Sequence, residues 1–380
     1  VYELPDYLAM VDDPRRTSAY LAALRATIRP ADRVLEIGTG FGFFAVAAAR
    51  CGAEHVWAVE PNDAIDLGPR LAAQYGVADR ITFLQAPLER VTLPQPATVL
   101  LEDLRGVLPV SGGRLAVLRD AHTRLLTPDA RCIAERDHLM VAPCAERADA
   151  IAPSPHPIDG IAVDEIRARA ASATSRVRAR DLRPLAPARR WTTIELARPD
   201  ERAAHGTARC EVETPGTCAG LGVWFEAELA GGARFTSGPS TGTTVYDCAW
   251  FPLPRPLEVV AGDRLEIKLR AVSDGQEFVW RWEVVREPAS GGPAESVQGT
   301  DLAARMIGAS RRARRAAAHV PARDAAVEEL AALASLVDGA RSLAGIAEAL
   351  RRRFPSRWPT EAEALAWASR ELARLVEGGA

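Results

Sequence analysis

The chain has 380 residues, enough for two or three domains rather than one. It is 48% hydrophobic and 26% charged with a formal net charge of -3, a balance typical of a soluble globular protein and without support for nucleic-acid binding. Lys268 is its single lysine, so runs such as Arg311-Arg-Ala-Arg-Arg315 reflect an arginine bias and read as solvated helix faces rather than a basic patch. The six cysteines, Cys51, Cys132, Cys144, Cys210, Cys218 and Cys248, show no Cys-x-x-Cys spacing and no nearby histidine pair, which points away from a metal site or a disulfide scaffold. No apolar run approaches about 18 residues and the N-terminus is not signal-like. A soluble, cytoplasmic protein without membrane contact is expected.

In chain order, apolar spacing predicts an amphipathic helix over residues 13–28, which Pro30 and Asp32 break before a strand over 33–37. Further strands are expected at 56–59, 81–85, 98–101 and 131–135, and helices at 43–50, 65–75 and 113–126. Strands separated by helical stretches imply βαβ units and a mainly parallel, Rossmann-like sheet over residues 1–145. Ligands of such sheets lie beyond the carboxyl ends of the strands, so Gly38, Glu60, Glu89 and Glu102 should converge on one edge.

The first strand runs into Val34-Leu-Glu-Ile-Gly-Thr-Gly-Phe-Gly42, and the next ends at Glu60. A glycine cluster after an apolar strand lets the backbone approach a ligand closely, and an acid ending the following strand can accept from both hydroxyls of a ribose. The spacing Glu36-x-Gly38-x-Gly40-x-Gly42 differs from the G-x-G-x-x-G of dinucleotide sites. Glu36 would repel a pyrophosphate but suits the ammonium end of a methionine, so S-adenosylmethionine (SAM) is the expected cofactor, held by Glu36, Gly38, Gly40, Gly42 and Glu60.

Prolines 143, 153, 155 and 157 mark a connection, and a polar helix is expected over 163–181. Closely spaced β-type runs then follow at 192–196, 207–213, 220–229, 243–251, 257–260, 264–271 and 277–285. Without intervening helices they predict an antiparallel barrel or sandwich occupying 146–290. After a linker at 288–293 every element reads as helical, with helices over 327–336, 343–354 and 360–376 in a small unit spanning 295–380. There Leu343, Ile346, Ala347 and Leu350 share one helix face, as core packing requires. Nothing in this unit can do chemistry, which leaves an interaction role.

Methyl transfer from a sulfonium is an in-line displacement that asks the protein to align donor and acceptor. Glu102 and Asp103 end the buried strand beside the cofactor edge, where an amine acceptor would lie, and Tyr246 is a further candidate for an acceptor contact. His122, His138 and Asp120 read as ordinary structural residues.

The segments Met10-Val-Asp-Asp-Pro-Arg-Arg16-Thr-Ser-Ala-Tyr20, Leu88-Glu89-x-Val-x-Leu-Pro94 and Leu101-Glu102-Asp-Leu-Arg-Gly106, with the glycine motif and the domain order, resemble protein arginine methyltransferases over roughly residues 5–285. The resemblance implies that Met10 packs near the sulfonium, Arg16 pairs with the methionine carboxylate, Glu60 binds the ribose, and Leu88 with Glu89 contacts the adenine. It also implies that Glu102 is the first of two glutamates that clamp a guanidinium. The second should fall at 110–113, where this chain reads Val-Ser-Gly-Gly, and the family's Thr-His-Trp loop aligns with Thr244-Val-Tyr246. One carboxylate cannot make the same two-sided clamp. The helical end, Leu336-Val-Asp-Gly339 to Phe354-Pro355, resembles the helical part of PqqD-type winged-helix domains, which recognise leader peptides, although their β-hairpin is not evident between Asp301 and Pro321.

Three readings follow. The first is a SAM-dependent N-methyltransferase for an amine of a peptide, such as a modified ribosomal peptide of daptide type, or of a small metabolite. The second is methylation of protein or free arginine, and the third a non-catalytic SAM-binding regulatory protein. The insert at 163–181 lies where the resembling family carries a dimerisation arm, so a homodimer is expected.

Overall fold

The computed structural model describes residues 2–110, 113–145, 161, 163–199, 203–239, 244–273, 278–305, 318, 320 and 325–375. Two helices open the chain, α1 (Leu4–Asp12) and α2 (Pro14–Thr27). The Asp13 carboxylate caps α2 by accepting from the amides of Arg15 and Arg16 at 3.2 and 3.3 Å, with Pro14 at the first helical position, where no amide is required.

Five strands alternate with three helices: β1 (Arg33–Ile37), α3 (Phe43–Arg50), β2 (His55–Val59), α4 (Gly68–Gln74), β3 (Ile81–Leu84), β4 (Ala97–Glu102), α5 (Arg114–Arg124) and β5 (Leu126–Cys132). They form a parallel sheet in the order β3-β2-β1-β4-β5. Val34 lies between Val56 and Val99 in register, and all three are fully buried, which accounts for the continuous apolar runs. The order reverses between β1 and β4, opening a crevice at their carboxyl ends. Gly38 follows β1 there, and Glu102 is the last residue of β4.

A single strand was expected over 131–135. Instead β5 stops at Cys132, the Ile133 amide donates to Leu100 at 2.8 Å, and β6 (Ala134–Ala145) departs in a new direction. β6 lies in an antiparallel sheet with β7 (Ser175–Val177), β8 (Arg189–Glu195), β10 (Gly216–Leu229), β11 (Arg234–Thr236) and β12 (Cys248–Val259), in the order β7-β12-β10-β6-β8 with β11 on β10. β9 (Ala203–Glu211), β13 (Arg264–Ser273), β14 (Phe278–Glu287) and β15 (Glu295–Thr300) form a second antiparallel sheet, ordered β15-β14-β13-β9. Aromatic rings fill the space between the two, with Phe251 5.0 Å from Trp280 and 5.3 Å from Trp282, in edge contacts.

Three further expectations change. The helix over 163–181 shrinks to α6 (Asp164–Ala171), because the chain then adds β7 to β12. The runs at 243–251 and 257–260 become a turn and one long strand, β12. Asp247, the one non-glycine residue with positive φ among those described (57°), turns the chain before β12 starts at Cys248. The stretch after the linker is first a strand, since alternation in Glu295–Thr300 buries Val297 opposite Val284. The parallel layer and both antiparallel sheets lie in one compact unit ending at Arg305.

The second unit, from Met306, contains α7 (Ala325–Leu336), α8 (Leu343–Arg353) and α9 (Glu361–Leu375). Leu333, Ile346, Ala347, Leu350, Trp358, Ala364 and Ala368 form its core, whereas Leu343, expected on that face, is 37% exposed at the helix start. The expected hairpin region between 301 and 321 and the arginine run at 311–315 fall largely outside the described residues. No helix of the protein among these residues is long and apolar enough to cross a membrane.

A Cβ at Gly206 of β9 would meet the Trp191 carbonyl oxygen at 1.7 Å, a backbone atom with no rotamer to retreat into. Gly206→Ala is therefore expected to destabilise the protein by about 3 kcal/mol or more in urea unfolding. Gly292→Ala, whose Cβ would meet only Pro288 at 3.6 Å, should stay within about 0.5 kcal/mol.

Candidate active site

The crevice is lined first by backbone. The amides of Gly38 and Thr39 donate to the Val59 carbonyl at 2.9 and 3.1 Å, fixing the loop after β1 onto the end of β2. Gly40 has φ 57°, and a Cβ there would meet the Tyr7 ring at 2.7 Å, so α1 lies directly on this loop. Burial, followed by the charge of Glu60, pushes the Tyr7 phenol up to about 12.

Glu60 is buried with one oxygen accepting from the Gly40 amide at 2.9 Å and the other from the Asn62 amide at 3.0 Å. Each carboxylate oxygen keeps a further lone pair, so the group is aimed and still able to accept from a diol. Glu36 is 3% exposed, and the Thr39 hydroxyl donates to it at 2.6 Å. Among the described residues it makes no ion pair. Burial pushes it up to about 7, against the Thr39 hydrogen bond and the Arg16 charge. A buried carboxylate with no ion-pair partner among the described residues, beside three left-handed glycines, fits a ligand that brings an ammonium group, as SAM does. Leu88 is buried, with its carbonyl accepting from Arg124 at 3.0 Å, whereas Glu89 is exposed.

At the end of β4 stands a ladder of alternating charge. Glu102 takes Arg114 through two parallel bonds, Nε to Oε2 at 3.0 Å and Nη2 to Oε1 at 2.6 Å. Arg114 Nη1 reaches Asp137 Oδ2 at 2.7 Å, and Asp137 Oδ1 accepts from Arg105 Nε at 2.8 Å. Arg105 Nη1 then reaches Asp103 Oδ1 at 2.8 Å, and Arg16 Nε closes the ladder on Asp103 Oδ2 at 2.5 Å. All six side chains are at most 9% exposed. Although burial alone would raise Asp103, Arg16 and Arg105 hold it down at about 2. The Tyr246 hydroxyl donates to Asp103 and accepts from Arg16 Nε at 3.0 Å. The turn before β12 delivers it, and the Val245 amide donates to Asp13 at 3.0 Å. Met10 is half-buried, its carbonyl accepting from Arg16 Nη1 at 2.9 Å.

Most of the expected residues thus meet around one crevice. Glu36, Gly38, Gly40 and Glu60 converge through the loop; Met10, Arg16, Asp103 and Tyr246 share one hydrogen-bonded cluster. Glu102 lies at the strand end, but its oxygens face an internal arginine and the Leu104 amide at 3.0 Å. His122 bonds the Leu196 carbonyl, His138 bonds Thr193 and Glu228, and Asp120 pairs with Arg124. Sequence reasoning missed Arg105, Arg114, Asp137 and Tyr20, whose hydroxyl donates to the Glu102 carbonyl at 2.8 Å. Two signals were present: an acid at the buried phase of β6, and an arginine opening a helix whose positive dipole end disfavours it.

Glu36 also marks the stability of the ligand-free protein. Its ordinary value is 4.5 and its folded value about 7. Stability is complete below 4.5, where both states are protonated, and falls as pH rises toward about 7, by roughly 3 kcal/mol. Glu36→Gln should therefore unfold at a higher temperature than wild type at about pH 8 and match it near pH 4.5; equal melting curves at both would refute the assignment.

No protein-family model matches the chain. An arginine N(omega)-methyltransferase of Streptomyces achromogenes subsp. streptozoticus is 28% identical over 282 residues, 69% of this chain and 75% of the relative. A probable histone-arginine methyltransferase 1.3 of Arabidopsis thaliana is 31% identical over 140 residues, of which the chain spans 26% of the relative's length. Among solved structures, protein arginine methyltransferase 10 of Arabidopsis thaliana aligns with a TM-score of 0.67 over 78% of this chain and 97% of its own, at 18% identity. The Trypanosoma brucei PRMT1 enzyme-prozyme complex with AdoHcy aligns at 0.69 over 77% and 97%, at 17% identity. At such identities these two show the fold. The chain is thus similar in sequence to arginine methyltransferases and shares the fold of protein arginine methyltransferases, a likeness that supports a class I, SAM-dependent methyltransferase.

Proposed function

We propose that the chain is a SAM-dependent N-methyltransferase whose acceptor is an amine of a peptide or small metabolite. The observation that carries this is the adjacency of the nucleoside edge and the end of β4. A Cβ at Gly38 would meet the Leu104 side chain at 2.6 Å, two residues past Glu102. SAM supplies a methyl group on a sulfonium, ready for in-line displacement. In this reading Glu60 holds the ribose, Glu36 the ammonium, and Arg16 the methionine carboxylate while keeping Asp103 ionised. Leu88 and Glu89 flank the adenine, and Met10 packs near the sulfonium. Asp103, at about 2, is too weak a base to receive a proton near neutrality. It and Tyr246 orient the acceptor, and the amine releases its proton to water before attack.

The names of the relatives favour a second reading, arginine methylation. Against it stands Glu102, whose two oxygens already hold a guanidinium of this chain. A homodimer built through the insert around α6 and recognition of a peptide by the unit from Met306 extend the proposal. A clean monomer in sedimentation at high concentration would refute the dimer.

With methyl-labelled SAM, amine-terminated peptide is expected to be labelled, with kcat/KM rising tenfold per pH unit until the amine's own pKa is reached. Labelling confined to free arginine or an arginine-rich peptide would overturn the amine reading. Glu60→Ala, which removes the aimed acceptor pair, should weaken SAM binding by roughly a hundredfold in calorimetry without lowering the melting temperature by more than a few degrees. Unchanged affinity would remove Glu60 from the cofactor site.

A further inference from the structure

Arg114 opens α5 after Gly113, whose φ of 77° turns the chain sharply into the helix. A cation in the first turn of a helix opposes the helix dipole, and an arginine 2% exposed is costly unless fully paired. The pairing is complete on the face that matters. One edge of the guanidinium forms the fork to Glu102, and Nη1 is held by Asp137. Neither carboxylate is left for another cation. Glu102 has its second contact from the Leu104 amide, and Asp137 gives its other oxygen to Arg105. Glu102, Asp103 and Asp137 are thus balanced by Arg16, Arg105 and Arg114, charge for charge.

We propose that Arg114 is a specificity-determining residue. It fills the guanidinium-shaped place between Glu102 and Asp137 and so selects an acceptor nitrogen that can shed its positive charge. A guanidinium stays charged at any accessible pH and needs a carboxylate on entering a buried site. To find one here it would have to displace Arg114, leaving that cation unpaired at a helix start. An amine can enter neutral, and it needs only hydrogen-bond acceptors. The inference deepens the amine reading above and rests on it for the acceptor, while the assignment of the filled place stands on binding alone.

Binding of ethylguanidinium, measured by calorimetry on the full chain, separates the two. Wild type is expected to show no binding at low millimolar concentration. Arg114→Met, which leaves Glu102 and Asp137 facing a vacated place, should bind it, and Arg114→Lys, which keeps the charge but not the fork, should bind it more weakly than Arg114→Met. In turnover, the ratio of kcat/KM for arginine peptide over amine peptide should rise at least roughly tenfold in Arg114→Met, through KM for the arginine peptide. If neither substrate turns over while the binding pattern holds, the amine reading fails and the filled place survives. The proposal is overturned if wild type binds ethylguanidinium and loses that binding in Glu102→Gln, or if a folded Arg114 variant binds no better than wild type.

Discussion

The alternating ladder from Glu102 through Arg114, Asp137, Arg105 and Asp103 to Arg16 is the constraint around which the rest of the first unit is arranged. Its members come from α2, the end of β4 with the loop that follows it, α5 and β6, so four separate stretches of chain have to arrive together. Burying three carboxylates and three guanidiniums is unfavourable in itself and is offset only when every partner is present. Removing any one charge leaves another stranded, at a typical cost of about 3–5 kcal/mol. Aromatic rings surround the middle of the ladder, with Arg105 lying 5.7 Å from Phe225 and 5.5 Å from Phe235, both contributed by the antiparallel sheet. The β4 side of the crevice is therefore made jointly by the two layers.

The β1 side of the crevice depends less on charge and more on backbone. Its glycines place amides and a bare surface where α1 can lie on them, and Glu60 is aimed by the amides of Gly40 and Asn62. The two sides meet at Arg16, which is held by Asp103 and Tyr246 on one side and by the Met10 carbonyl on the other. A charge that arrives at Arg16 is thus felt at Asp103, which connects occupancy of one half of the crevice to the electrostatics of the other.

The parallel layer was legible because β1, β2 and β4 are buried on both faces and read as unbroken apolar runs, and because the glycine spacing is local. The antiparallel sheets were legible in kind but blurred in detail. Pro252, Pro254 and Pro256 hide the continuity of β12, and the strand at Glu295–Thr300 has too few apolar residues to stand out. The ladder was hidden for a different reason. Its pairs are separated by up to 87 residues, from Arg16 to Asp103, and no local pattern records such a contact. Abundant arginine also made Arg105 and Arg114 look like background, although Asp137 at the buried phase of its strand demanded a cation.

Ile133 is the whole connection between β5 and β6, and its amide remains tied to Leu100 inside the parallel sheet. β6 pairs with β8 on one side and β10 on the other, so the chain passes from one layer to the middle of the next without a spacer. The crevice therefore takes its walls from two layers that a single residue joins. Over that crevice α1 rests with the Tyr7 ring on Gly40, and just before the helix the Tyr2 carbonyl accepts from Asn62, beyond β2, at 3.2 Å.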